Sequence, residues 1–249
     1  MKYEYAYKIK YQEVDDRRQL RLYNLENYLL EVAGTVADDL GFGIRQLYPM
    51  GLTWILTRLS VEMWELPTHS DKVVFETWIE SDAHMLSTRN FRIYKVETQE
   101  SKDERRLIGR CKSVWAVLDL EKREIANVFD HPMFDGAVDG EVLEMERAPR
   151  LRPIAVPTGS EQRRIEYSDL DYNCHCNSCK YLEKMIDTYR PKMSDEGVRL
   201  DIFYQHEAYE GERVEISYAI EEDGVTYQMH DGQGKTYCMA KVTTNSSPR

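Results

Sequence analysis

Residues 165–189 read IEYSDLDYNCHCNSCKYLEKMIDTY, and residues 9–33 read IKYQEVDDRRQLRLYNLENYLLEVA. At a constant offset of 156, Ile9, Tyr11, Val14 and Asp15 fall on Ile165, Tyr167, Leu170 and Asp171, and Leu29, Leu30 and Glu31 fall on Met185, Ile186 and Asp187. Each stretch runs into apolar residues spaced by three and four. They are Leu22, Leu25, Leu29, Val32 and Val36 in one, and Tyr181, Leu182, Met185, Ile186 and Tyr189 in the other. That period marks a helix with one buried face. Gly41 or Gly43 suits the left-handed cap that ends the first helix, and Pro191 cannot continue the second.

Four runs rich in Val, Ile, Thr, Trp and Tyr follow the first helix, at 52–65, 72–80, 84–97 and 106–119. Four more follow the second, at 199–208, 212–221, 225–230 and 235–244, with Asp223-Gly224 and Asp231-Gly232 as turn signals. The order of strand, helix and four strands therefore occurs twice. The implied class is α+β, each half a long helix wrapped by an antiparallel sheet that buries one face on it. Between the halves, prolines at 132, 149, 153 and 157 interrupt a stretch with no apolar period, which reads as a connection. The expected domains are 1–130 and 161–249, joined by 131–160.

Composition narrows the function. The chain has 249 residues, 42% hydrophobic and 31% charged, enough apolar content for a sizeable core. No stretch approaches the ~20 consecutive apolar residues of a membrane span. The opening MKYEYAYKIKYQEVDD lacks the apolar run of a signal peptide. A cytoplasmic location is the expectation. The net charge of −11, from 33 basic and 44 acidic residues, argues against nucleic acid as a partner. Five cysteines, an odd number, fit free thiols in a reducing compartment.

Polar residues occupy every second position from 169 to 177: Asp169, Asp171, Asn173, His175 and Asn177. They precede the second helix, whose N-terminus offers unpaired N–H groups and partial positive charge for an oxyanion. Histidine, with an ordinary pKa of roughly 6.5, suits proton transfer near neutrality. Asp171 could orient it or polarise water, and Asn173 could bind a carbonyl or water. Asp and Asn are also favoured caps, so Asp171 and Asn177 could be capping residues only. The matching first-half positions hold Asp15, Arg17 and Gln19, which favours a single chemical site, in the second half. Cys174, Cys176 and Cys179 around His175 lack the paired spacing of a zinc site, so no metal is expected.

The stretch DLDYNCHCNSCKY resembles the D-x-D-x-N-x-H-x-N-x-x-x-Y signature of the acyl-acyl carrier protein thioesterases. The likeness extends to the tandem layout, the opening Y-x-x-x-x-x-Y-x-x-V-D and the first-half stretch GLTWILTRL. The resemblance implies a double hot dog fold and hydrolysis of fatty acyl-carrier thioesters, as in fatty acid biosynthesis, without a cofactor. It implies a catalytic group of Asp171, Asn173 and His175, joined by Glu207 of Tyr204-Gln-His-Glu207-Ala208, on the following strand. Ala208 stands where the plant pattern has cysteine, so base-assisted attack by water is implied rather than a cysteine nucleophile there. Asn177 and Trp54 are candidate substrate contacts, with Leu56, Leu59 and Met63 as further candidates for lining an acyl tunnel. Acyl carrier protein is strongly acidic, so docking needs a local basic patch, for which Arg163, Arg164 and Lys180 are the candidates. No membrane partner is expected, and a homodimer stays open. Coenzyme A esters on the same scaffold, or acyl binding without turnover, are the alternatives.

Overall fold

The computed structural model describes residues 1–83, 85–99, 102–146, 148–193 and 197–244. Residue 84 of the expected run 84–97 and residues 245–249 of the expected second domain lie outside them. The chain divides into two compact units, Met1–Thr57 with Leu66–Glu146, and Arg58–Glu65 with Arg147–Arg249.

The first unit contains β1 (Tyr3–Lys8), α1 (Leu22–Asp39), the single turn α2 (Ile44–Leu47), the start of β2 (Leu52–Met63), β3 (Lys72–Ala83), β4 (Leu86–Gln99), β5 (Lys102–Asp119) and the short β6 (Glu124–Ile125). β1, β3, β4 and β5 pair antiparallel in that spatial order. The face of α1 carrying Leu22, Leu25, Leu29, Val32 and Val36 is buried. Tyr28 of α1 stacks on Phe75 of β3 at 5.8 Å and meets Tyr7 of β1 at 4.9 Å. Each such fully buried aliphatic or aromatic side chain contributes roughly 1.5–3 kcal/mol through removal from water. α1 ends where Gly41 takes φ +84° and its N–H donates to the Asp38 carbonyl, a conformation that glycine adopts without a Cβ clash.

The second unit contains β7 (Gly159–Arg164), α3 (Ser178–Thr188), β8 (Val198–Tyr204), β9 (Arg213–Ile220), β10 (Gly224–His230) and β11 (Thr236–Thr243). The antiparallel order is β8, β11, β10, β9, β7. Residues 58–63 of β2 add a strand beside β8, in a register that sets Ser60 opposite Asp201 and Glu62 opposite Arg199. Tyr181, Leu182 and Met185 of α3 are buried, and the Tyr227 hydroxyl of β10 donates to the Tyr189 carbonyl at the helix end at 2.7 Å.

Three boundaries differ from the sequence reading. Residues 58–65 group with the second unit. Residues 131–146, expected as connection, group with the first, where Phe134, Ala137 and Leu143 are buried. The run expected over 199–208 stops at Tyr204, because the Gln205 and His206 N–H groups both turn to the Tyr237 carbonyl. Glu207, expected on a strand, therefore sits in the β8–β9 loop. Among the described residues no helix is long and apolar enough to cross a membrane.

Candidate active site

The segment before each helix folds into the same turn. In the second unit the Asp171 N–H donates to the His175 carbonyl at 2.8 Å, and Asp171 Oδ1 accepts from the N–H groups of Asn173 at 2.8 Å and His175 at 3.3 Å. In the first unit the Asp15 N–H donates to the Gln19 carbonyl at 2.8 Å, and Asp15 Oδ1 accepts from Arg17 at 2.9 Å and Gln19 at 3.0 Å. The fourth residue is left-handed in both, Arg18 at φ +65° and Cys174 at φ +61°. The Asp171 carboxylate thus forms an Asx turn common to both halves, and it caps no helix, since α3 begins at Ser178 with Asn177 as its N-cap.

On this shared frame only the second unit carries an acid–base pair. An isolated antiparallel bridge sets His175 opposite Tyr209, as another sets Gln19 opposite Thr68. The bridge brings the β8–β9 loop against the turn, and His175 Nδ1 lies 3.2 Å from Glu207 Oε1. Both side chains are largely but not fully enclosed, at 19% and 27% exposure, so the pair is sheltered yet reachable. The Tyr209 hydroxyl donates to the other carboxylate oxygen, Oε2, at 3.1 Å, and its ring meets the imidazole edge-on at 4.9 Å. Tyr181 ties the helix to the same loop, its hydroxyl accepting from the Ala208 N–H at 2.9 Å. Half-buried Asn173 has no partner for its carboxamide among the described residues.

The remaining candidates take other places. Asn177, expected at the substrate, is the N-cap of α3, its Oδ1 accepting from the Cys179 N–H at 2.9 Å. Its carbonyl accepts from the Lys180 N–H. The helix mouth is thus partly satisfied internally and is a weaker oxyanion site than its position suggested. Burial pushes the Cys176 thiol up to about 12, which leaves it protonated and a poor nucleophile. Trp54 is in the first unit, its indole N–H donating to the Phe42 carbonyl at 2.9 Å within a cluster of Phe42, Trp115, Phe129 and Phe134. Arg163 and Arg164 are neighbours on β7 and so point to opposite faces. Arg163 pairs with Glu161 at 2.9 Å and Lys180 with Glu183, while Arg164 is exposed. Arg163 and Arg164 therefore do not share a face of β7. Among the described residues no group of three or more His, Cys, Asp or Glu could hold a metal ion. Tyr209, which touches both members of the pair, escaped the sequence reading. The separation between residues 175 and 209 gives no periodic signal.

Residues 1–133 match the N-terminal domain of the acyl-ACP thioesterases, and residues 158–246 match their C-terminal domain. The chain belongs to the acyl-ACP thioesterase family, and its fold is the double hot dog. An oleoyl-acyl carrier protein thioesterase of Coriandrum sativum, described as chloroplastic, is 24% identical over 226 residues, which are 83% of this chain and 56% of that protein. The chain thus spans about half the length, or less, of the curated relatives it matches. The crystal structure of an acyl-ACP thioesterase from Bacteroides thetaiotaomicron superimposes with a TM-score of 0.82 at 27% identity, over 97% of both chains. The 12:0-ACP thioesterase from Umbellularia californica gives a TM-score of 0.79 at 19% identity, over 97% of this chain and 96% of that one.

Proposed function

We propose that this chain hydrolyses the thioester between a fatty acyl group and acyl carrier protein, releasing fatty acid and free carrier. The observation that carries the reading is the His175–Glu207 pair at 3.2 Å, set on a turn whose first-half copy holds Gln19 opposite Thr68. Glu207 holds Nδ1 of the imidazole, which leaves Nε2 as the base. Nε2 takes a proton from water as the hydroxide oxygen bonds to the thioester carbon. The Asn173 carboxamide donates to the developing oxyanion, a role open to a half-buried donor two residues from the base on the same turn. When the C–S bond breaks, the imidazolium returns its proton to the departing sulfur. Asp171 acts through the turn, holding Asn173 and His175 in place.

In this reading the first unit holds much of the acyl chain, with the Trp54 cluster as its apolar wall, and the second supplies the chemistry. Arg163, Arg164 and Lys180 are the candidates for carrier docking, with Arg164 the most exposed of them. The odd count of five cysteines supports a reducing compartment such as the cytoplasm. One panel tests the substrate: the same acyl groups on acyl carrier protein and on coenzyme A, at low and at physiological salt. The carrier-bound ester should turn over faster, and its advantage should shrink with salt, because exposed charges more than ~8 Å apart are screened at physiological ionic strength. Faster turnover of the coenzyme A ester at both salts would contradict the carrier assignment.

A further inference from the structure

We infer that Tyr209 is a positioning residue for the acid–base pair, which deepens the functional reading above and rests on it. Glu207 has two carboxylate oxygens. One faces His175 Nδ1 at 3.2 Å and the other accepts from the Tyr209 hydroxyl at 3.1 Å. With a donor on each oxygen the carboxylate is fixed in rotation, and its direction fixes the plane of the imidazole. The Tyr209 ring constrains that plane a second time, lying edge-on to the imidazole at 4.9 Å with 83° between the rings.

The tyrosine is itself held. Its N–H donates to Glu212 Oε2 at 3.0 Å, and its carbonyl accepts from the Glu212 N–H at 3.1 Å. The first unit builds the same turn with Thr68, whose N–H donates to Asp71 Oδ2 at 2.8 Å and whose carbonyl accepts from the Asp71 N–H at 3.2 Å. The frame is therefore common to both halves. The phenol stands only in the half that has a histidine opposite it and a carboxylate two residues before it. A purely structural loop would not need that difference. Tyr209 is also 42% exposed, so its side chain is a minor part of the core.

The test is a double-mutant cycle of Tyr209→Phe with Glu207→Gln, read as kcat, KM and thermal midpoint on palmitoyl- and dodecanoyl-acyl carrier protein. Tyr209→Phe keeps the ring and removes the hydroxyl. Its kcat should fall roughly tenfold, the lower end of the worth of one hydrogen bond to a charged group, since the site is partly exposed. KM and the thermal midpoint should hold. In the Glu207→Gln background the same substitution should change nothing further, because its effect passes through the carboxylate. Wild-type kcat in Tyr209→Phe, beside a crippled Glu207→Gln, would overturn the role of Tyr209 alone. An equal loss in both backgrounds would likewise show that the hydroxyl does not act through Glu207. Near-wild-type turnover in Glu207→Gln would overturn the pair and Tyr209 with it.

Discussion

At the scale of single residues, Asp171 separates two meanings of one side chain. Its Oδ1 accepts two backbone N–H groups, as Asp15 does in the first unit. Asp15→Ala and Asp171→Ala should each lower stability by about 1 kcal/mol, the usual worth of such a hydrogen bond. Only Asp171→Ala should also lower kcat, since it releases Asn173 and His175. Asparagine keeps the accepting oxygen and removes the charge. Asp171→Asn should therefore retain kcat within about fivefold of the parent. Denaturation midpoints and steady-state rates on an acyl-carrier substrate check both outcomes, and a rate in Asp171→Asn as low as in Asp171→Ala would give the charge a direct chemical part. Asp171, Asn173 and His175 were legible in the sequence because they alternate within five residues. Glu207 entered only through the family resemblance, and Tyr209 not at all, because a contact across 34 residues depends on how a loop folds back on a turn.

At the scale of elements, the two halves bury arginine in contrasting ways. Arg199 of β8 makes two hydrogen bonds to Asp201, at 2.8 and 3.2 Å, and bonds Glu62 of β2, while Ser60 donates to Asp201 at 2.7 Å. The cross-strand register puts these side chains on one sheet face. Arg89 of β4 is as deeply buried, yet its Nη1 has no hydrogen-bond partner among the described residues. Burial pulls its guanidinium down to about 10, with Asp82 opposing that pull. Arg199→Met should destabilise by about 3–5 kcal/mol because Asp201, 1% exposed, is left charged without its partner. Arg89→Met should cost clearly less than Arg199→Met, since the desolvated charge it removes is coupled to Asp82 by charge alone, whereas Arg199 is hydrogen-bonded to its carboxylate partner. Chemical denaturation of both variants checks the contrast, which a larger loss for Arg89→Met would reverse. Helices and most strands were legible from their periods. The early end of β8 was not, because two N–H groups sharing the Tyr237 carbonyl leave no trace in an alternating pattern. The opposed faces of Arg163 and Arg164 were readable in principle, since a strand alternates its side chains.

At the scale of the whole molecule, carboxylates set the acid limit. Burial works against ionisation of Asp71, but Lys95 at 2.9 Å and the Thr68 N–H outweigh it and hold the group below its ordinary 3.8. Glu80 is likewise half-buried, which works against its ionisation, yet Asn90, Lys112 and the Leu143 N–H hold it below its ordinary 4.5. A carboxyl depressed in the folded state adds stability above its unfolded value and loses that stability as pH falls through the folded value. Stability should therefore be nearly flat from about pH 7 to about pH 5 and fall below about pH 4. Asp71→Asn and Glu80→Gln together should flatten that acid limb, as thermal midpoints across pH will read. On the proposed mechanism one chain carries one chemical site, in its second half. Single-turnover hydrolysis of an acyl-acyl carrier protein by His175→Ala, Glu207→Gln and Gln19→Ala tests it most directly. The first two should lose roughly 10²–10⁴-fold in the chemical step, with Gln19→Ala unchanged. Parent-like rates for both His175→Ala and Glu207→Gln, or a loss in Gln19→Ala as deep as that of His175→Ala with the fold intact, would contradict it.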